Sequence, residues 1–286
     1  MAEAVRIISR LDIKGPNLVK GIHLEGLRVM GDPDQFATFY YENGADELFY
    51  MDVVASLYER NSLHQIISKI AKNIFIPITV GGGLRSLDDM SAVLKSGADK
   101  VCLNTAAIRN PLLIKEAAKK FGSSTIVVAL EVIKQTNGEY LCFVDNGREH
   151  TGVNAFEWAK KVEMLGAGEI VLTSVDRDGT GDGFDIDLIK KISQDISIPI
   201  VAHGGAGSPE DVARVIKEAD VGAVAIASIT HYDCLSKNIF ETTNKNQEGN
   251  KTFLLSQKSY SKIKNFSFAE IKNHLQSVGV NCRALL

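Results

Sequence analysis

The chain has 286 residues, 45% of them hydrophobic, and a formal net charge of −3. That length suits one α/β barrel with a large core, the mildly acidic balance gives no reason to expect nucleic acid as a partner, and no apolar run approaches the ~20 residues a bilayer crossing needs. Residues 1–5 are too short and acidic for a targeting leader, and Cys102, Cys142, Cys234 and Cys282 form no C-x-x-C pair, so the expectation is a cytoplasmic protein with reduced thiols and no membrane association.

In chain order, the first β-branched run is 6–13, and it ends in Leu11-Asp12-Ile13-Lys14. A loop carrying Pro16 and Lys20 follows, then an amphipathic segment at 35–43 stopped by Gly44. The pattern repeats: strands at 48–54, 76–80, 100–104, 125–132, 169–175, 198–202 and 223–227 alternate with helical spacing at 63–73, 88–96, 112–121, 156–165, 187–195 and 209–219. The strands are nearly continuous apolar runs, as parallel strands buried on both faces require. Asn61 or Ser62 would cap the second helix, and Ser208-Pro209-Glu210-Asp211 has the cap, N1 proline and acidic first turn of a helix start. Glycine stands just past several of the helices, the usual stop. Residues 236–266 form a polar insertion before a last helix at 268–278; its aromatics Phe240, Phe253, Tyr260 and Phe266 suggest partial docking on the body.

The chain is written twice. Ile76-Pro77-Ile78-Thr79-Val80-Gly81-Gly82-Gly83 returns as Ile198-Pro199-Ile200-Val201-Ala202-His203-Gly204-Gly205, and Gly44-Ala45-Asp46-Glu47-Leu48 returns as Gly166-Ala167-Gly168-Glu169-Ile170, both at an offset of 122 residues. A period this long is two half-domains, not a solenoid. Eight β/α units could make a doubly wound sheet, but two equal halves close symmetrically. The expected fold is a single (β/α)8 TIM barrel, residues 1–286, built from two duplicated half-barrels.

In such a barrel the loops after the strands form the active face. Asp12, Asp52, Gly82-Gly83, Asn104-Thr105, Glu131, the run Asp176-Arg177-Asp178-Gly179-Thr180, His203-Gly204-Gly205 and Ser228 all fall there. Glycine pairs let backbone N–H groups approach an anion, although tight turns need glycine too. Their equivalent placement in both halves, with Asn104-Thr105 beside one and Ser228 beside the other, predicts two phosphate cradles on opposite sides of the mouth. Asp12 and Glu131 then lie between them, paired for general acid–base work or tied structurally to Lys14, Lys20 or Lys134. Asp178 is a third carboxylate or a loop cap. His203 stands alone, no cluster has metal-ligand spacing, and no dinucleotide or P-loop motif occurs, so neither a metal nor a cofactor is expected. At the strand starts, Arg6, Glu47, Lys100 and Glu169 predict a ring of mixed charge, either a salt-bridged floor or a gate into the barrel.

These motifs resemble the HisF family, the cyclase subunits of imidazole glycerol phosphate synthase, from Arg6 to about Ser228 and again at Gly279-Val280-Asn281-Cys282-Arg283. The resemblance implies a HisH-like glutaminase docked as a heterodimer partner on the N-terminal face. Ammonia would enter through the gate of Arg6, Glu47, Lys100 and Glu169 and rise to a substrate with two phosphates. It makes Asp12 the base, Glu131 the acid and Lys20 the lysine of a mobile loop, and puts phosphate on Gly82, Asn104, Thr105, Gly205 and Ser228. Gly83, Asp176, Thr180 and Gly204 complete the expected binding set, and Asp178 the catalytic one.

Three departures cluster at the mouth. The family's acid is aspartate; Glu131 moves it by about 1.5 Å, and a ~1 Å misplacement can cost a hundredfold. Pro16 stiffens the loop after the first strand. His203 stands where the family has a small residue. The pattern is similar to HisF-like paralogues of surface-polysaccharide clusters, which modify an acetamido sugar to an acetamidino sugar, with a phosphorylated or nucleotide-linked acceptor. The sequence therefore favours that role, with poor cyclase activity, over the histidine-pathway cyclase. A HisA-type isomerase would need no gate, and a non-catalytic scaffold would need no Asp12, Lys20 or cradles.

Overall fold

The computed structural model describes residues 4–55, 63–237 and 263–284. Eight parallel strands close on themselves: β1 (Arg6–Lys14), β4 (Glu47–Asp52), β5 (Ile78–Gly81), β6 (Lys100–Leu103), β7 (Ile126–Lys134), β10 (Glu169–Ser174), β11 (Ile200–His203) and β12 (Ala223–Ile226), which pairs back with β1. This is the expected (β/α)8 barrel. Two antiparallel hairpins leave its rim. The first is β2 (Asn17–Ile22) and β3 (Glu25–Gly31), after β1; the second is β8 (Tyr140–Val144) and β9 (Glu149–Asn154), after β7.

The helices are α1 (Pro33–Glu42), α2 (Leu63–Ile70), α3 (Leu87–Lys95), α4 (Thr105–Arg109), α5 (Leu112–Phe121), α6 (Ala155–Met164), α7 (Ile186–Asp195), α8 (Pro209–Ala219), α9 (Ser228–Ser236) and α10 (Phe268–Ser277). Ser208 caps α8 as its sequence predicts, accepting from Asp211 N. Asn61 and Ser62 lie outside the described residues, as does 238–262, most of the polar insertion with Phe240, Phe253 and Tyr260. Phe266 does dock, its N–H donating to Ile229 O. Among the described residues no helix is long and apolar enough to cross a membrane.

Two expected strands start two residues later than their apolar runs. Pro77 and Pro199 precede β5 and β11; each lacks an N–H but lends its carbonyl, to Leu48 N at 2.9 Å and Ile170 N at 3.0 Å. The duplication reaches backbone torsions. Gly82 and Gly204 have φ of 99° and 93°, and a Cβ on either would stand 2.3 Å from Asp52 O or 2.6 Å from Ser174 O. Asn104 and Ala227, which open α4 and α9, share φ/ψ near −132°/−86° and −135°/−78°.

The apolar residues form two layers. One fills the space between strands and helices. The other lines the barrel interior and includes Ile8, Phe49, Met51, Cys102, Val127 and Ala129. The last helix is locked on by a buried ion pair: Lys272 Nζ lies 2.7 Å from Asp46 Oδ1, and Asp46 Oδ2 accepts from Ile7 N.

Candidate active site

Because side chains alternate along a strand, Arg6, Ile8, Arg10 and Asp12 all point into the barrel from β1. Arg6 lies at its N-terminal end, where the four expected charges meet in a closed ring. Arg6 bonds Glu47 at 2.8 Å and Glu169 at 2.5 Å; Lys100 lies 3.4 Å from Glu47 and 3.0 Å from Glu169. Each carboxylate touches both cations, so the floor is neutral and fully paired.

Asp12 and Glu131 occupy the other end, both buried. Glu131 Oε2 accepts from Gly147 N at 2.8 Å. Burial pushes its carboxyl up to about 7, against the pull of Arg10 and that N–H, with Asp12 and Asp145 adding to the rise. Asp12 accepts from Arg10 Nε at 2.8 Å. The guanidinium continues to Thr173 Oγ1 and His203 Nδ1, at 3.3 and 3.2 Å. His203 is neutral, because burial and the adjacent Arg10 push its pKa well below the usual value. Accepting from Arg10 at Nδ1 leaves its proton on Nε2, which lies 3.9 Å from Asp178.

Asp178 is engaged by the first hairpin. Lys20 Nζ bonds both its oxygens, at 2.9 and 2.8 Å; Leu24 N donates to Oδ2; and His23 N donates to its backbone carbonyl. Burial opposes ionisation there, but the Lys20 ammonium and the Arg10 guanidinium prevail and hold its pKa at about 2. The Asp178 carboxylate thus holds the first hairpin rather than capping its own loop. Pro16 lies in the turn that enters this hairpin, and Lys20 and Leu24 are buried at the mouth. Both hairpin tips carry a left-handed pair at the 122-residue offset, His23-Leu24 and Asp145-Asn146, and they meet where Asn146 Nδ2 donates to Leu24 O at 2.8 Å.

The residues expected to form the first-half cradle line an open cavity of about 260 Å³: Gly82, Gly83, Asn104 and Thr105 border it, together with Glu131, Arg85 and Arg109. Thr105 Oγ1 shares hydrogen bonds with Asp145, and Arg109 pairs with Asp145 and Glu149. In the second half, Gly204, Gly205 and buried Ser228 lie around the ends of β11 and β12. Thr180 ties its own loop through Arg177 O and Asp182 N, and Asp176 accepts from Lys134 N. Asp52 Oδ1 accepts from Val54 N. Among the described residues no group of three or more His, Cys, Asp or Glu could hold a metal ion.

With this geometry established, the relatives are informative. Residues 6–236 match the histidine biosynthesis protein family. The imidazole glycerol phosphate synthase subunit HisF of Legionella pneumophila is 56% identical over 207 residues, covering 72% of this chain and 98% of that protein. The subunit of the same name from Alkaliphilus metalliredigens (strain QYMF) is 45% identical over 231 residues, covering 81% and 92%. The chain belongs to the HisF family.

Three features of this HisF-family site escaped the sequence reading. Arg10 was legible: a charge two residues before Asp12 on a strand must share its face. Asp145-Asn146-Gly147 is a turn signature that would have placed the Glu131 donor. Arg85 and Arg109 follow the glycine pair and Asn104-Thr105 in sequence and line the same cavity, but nothing in their spacing marks them.

Proposed function

We propose that the chain is the ammonia-using cyclase subunit of an imidazole glycerol phosphate synthase, working with a HisH-like glutaminase on the N-terminal barrel face. The observation that carries this reading is a pair of buried carboxylates beside an open cavity of about 260 Å³, with a layer of apolar side chains between the closed charge ring and the Arg10 level of the lumen. A neutral molecule such as ammonia can cross such an interior; an ammonium ion would be heavily disfavoured. Gly82, Gly83, Asn104 and Thr105 hold one phosphate and Gly204, Gly205 and Ser228 the other, with Asp176 and Thr180 shaping the loop between. Asp12 takes a proton from the substrate. Glu131, held near neutrality, supplies one. Lys20 arrives with the hairpin that covers the mouth.

The names of both relatives support this over the surface-sugar role, which neither carries. What still favours another acceptor is the mouth itself, where Glu131 and His203 depart from the family pattern. One assay separates the two. The isolated chain given the family's bis-phosphate substrate and saturating ammonium should form imidazole glycerol phosphate, and Asp12→Asn should abolish the reaction. A folded protein that gives no product returns the chain to a different acceptor.

The ring makes its own prediction. Lys100→Ala should lower glutamine-driven turnover about tenfold, an uncoupling worth ~1.4 kcal/mol, while ammonium-driven turnover stays unchanged. Equal loss in both assays, or none in either, counts against a gate.

A further inference from the structure

Arg10 has no role in the chemistry described so far, yet it is the largest fully buried side chain of the barrel. It starts on β1 and reaches Thr173 on β10, three strands away round the barrel, with His203 of β11 on the way. Its guanidinium therefore lies across the lumen, 5.7 Å from the Phe49 ring centroid, on the side of the second half-barrel. Its Nη2 finds no hydrogen-bond partner among the described residues. A buried cation with an unsatisfied donor is a poor structural choice, since a well-packed apolar side chain would serve stability as well or better. The ion is present despite that cost, and the carboxylates it faces are Asp178 and the two candidates, Asp12 and Glu131.

We propose that Arg10 is a positioning residue for both: it grips Asp12 directly and sets the charge balance at Glu131 through space. The first effect is geometric. The Arg10 Nε bond takes one Asp12 oxygen and, with the guanidinium anchored on Thr173 and His203, fixes the direction of the other. The second is electrostatic. The groups facing Glu131 are Arg10 and Asp12 from β1, Cys102 from β6, Cys142 from β8, Asp145 from the second hairpin and the N–H of Gly147. Arg10 is the one cation in that set, and burial and both aspartates oppose it. Without it the balance tips further toward protonated Glu131, and the acid no longer releases its proton near neutrality.

The test uses the full chain without substrate, so it stands or falls independently of the cyclase assay. The ionisation of Glu131 is followed by pH-difference infrared spectroscopy, with Glu131→Gln identifying its band. In the wild type the band should titrate near 7. In Arg10→Met the midpoint should rise by about 1–3 pH units, and Arg10→Lys should restore much of the difference. Arg10→Met leaves Asp12 unpaired and can fail to fold, so Arg10→Met/Asp12→Asn removes the ion pair together. There a smaller rise is still expected, because Arg10 outweighs Asp12 at Glu131. A Glu131 midpoint that does not move in whichever of these variants folds overturns the proposal; a rise reversed by lysine supports it.

Discussion

Glu131→Gln should lower turnover by about 10²–10⁴-fold and at the same time make the protein more stable at pH 8. The two effects have one cause. Burial makes the charged form of Glu131 expensive, which is why its carboxyl titrates at about 7 rather than 4.5. A pKa raised in the folded state contributes stability that is fully present below the unfolded value and is lost as pH rises through about 7. By pH 8 the shift amounts to about 3 kcal/mol. Glutamine does not titrate, is close to the same size and can still accept from Gly147 N. The stability difference between variant and wild type should therefore grow by about 3 kcal/mol in favour of the variant between pH 4 and pH 8. Urea denaturation at the two pH values measures it. A constant difference would mean that Glu131 is not held near neutrality, and the acid role would lose its physical basis.

The strands and the helix stops could be read because parallel strands buried on both faces leave near-continuous apolar runs, and glycine marks the ends. The duplication then closed the barrel, and it was legible down to Gly82 and Gly204, where a Cβ would meet a backbone carbonyl. Both hairpins were missed. Their strands are short and lie over a polar mouth, so Lys20 and Asn17 on one, and Glu149 and His150 on the other, break the apolar pattern that identifies a buried strand. The site divides in the same way. Asp12, Glu131, the glycine pairs and the charge ring were readable because each sits at a strand end whose position follows from the repeat. The Arg10–Thr173–His203 link was not, because it crosses the lumen between strands far apart in sequence. Pro16 marked the entry to the first hairpin, but stiffness in a turn does not say where the turn rests, and here the contacts of Asp178 fix that.

Asp178→Ala should release the first hairpin from the barrel mouth. The carboxylate accepts two bonds from Lys20 and one from Leu24 N, and its removal leaves the Lys20 ammonium buried without its anion. Breaking a buried pair from one side costs about 3–5 kcal/mol. The hairpin can escape most of that by opening, because its remaining ties across the mouth are single bonds, among them His23 N to Asp178 O and Asn146 Nδ2 to Leu24 O. Amide exchange over residues 17–31 should accelerate by about 10²–10³-fold while the barrel strands stay protected. Turnover should fall with it, since Lys20 leaves the site when the hairpin does. In the wild type the latch should hold across the working pH range. A depressed carboxyl pKa contributes stability that is present above the unfolded 3.8 and lost only as pH falls through about 2. Exchange in 17–31 should accordingly show no extra opening between pH 4 and pH 8, after correction for the intrinsic rate. Unchanged protection in Asp178→Ala would show that the hairpin is held by packing of Leu24 and Val19 instead, and that the Lys20 pair is not what closes the mouth.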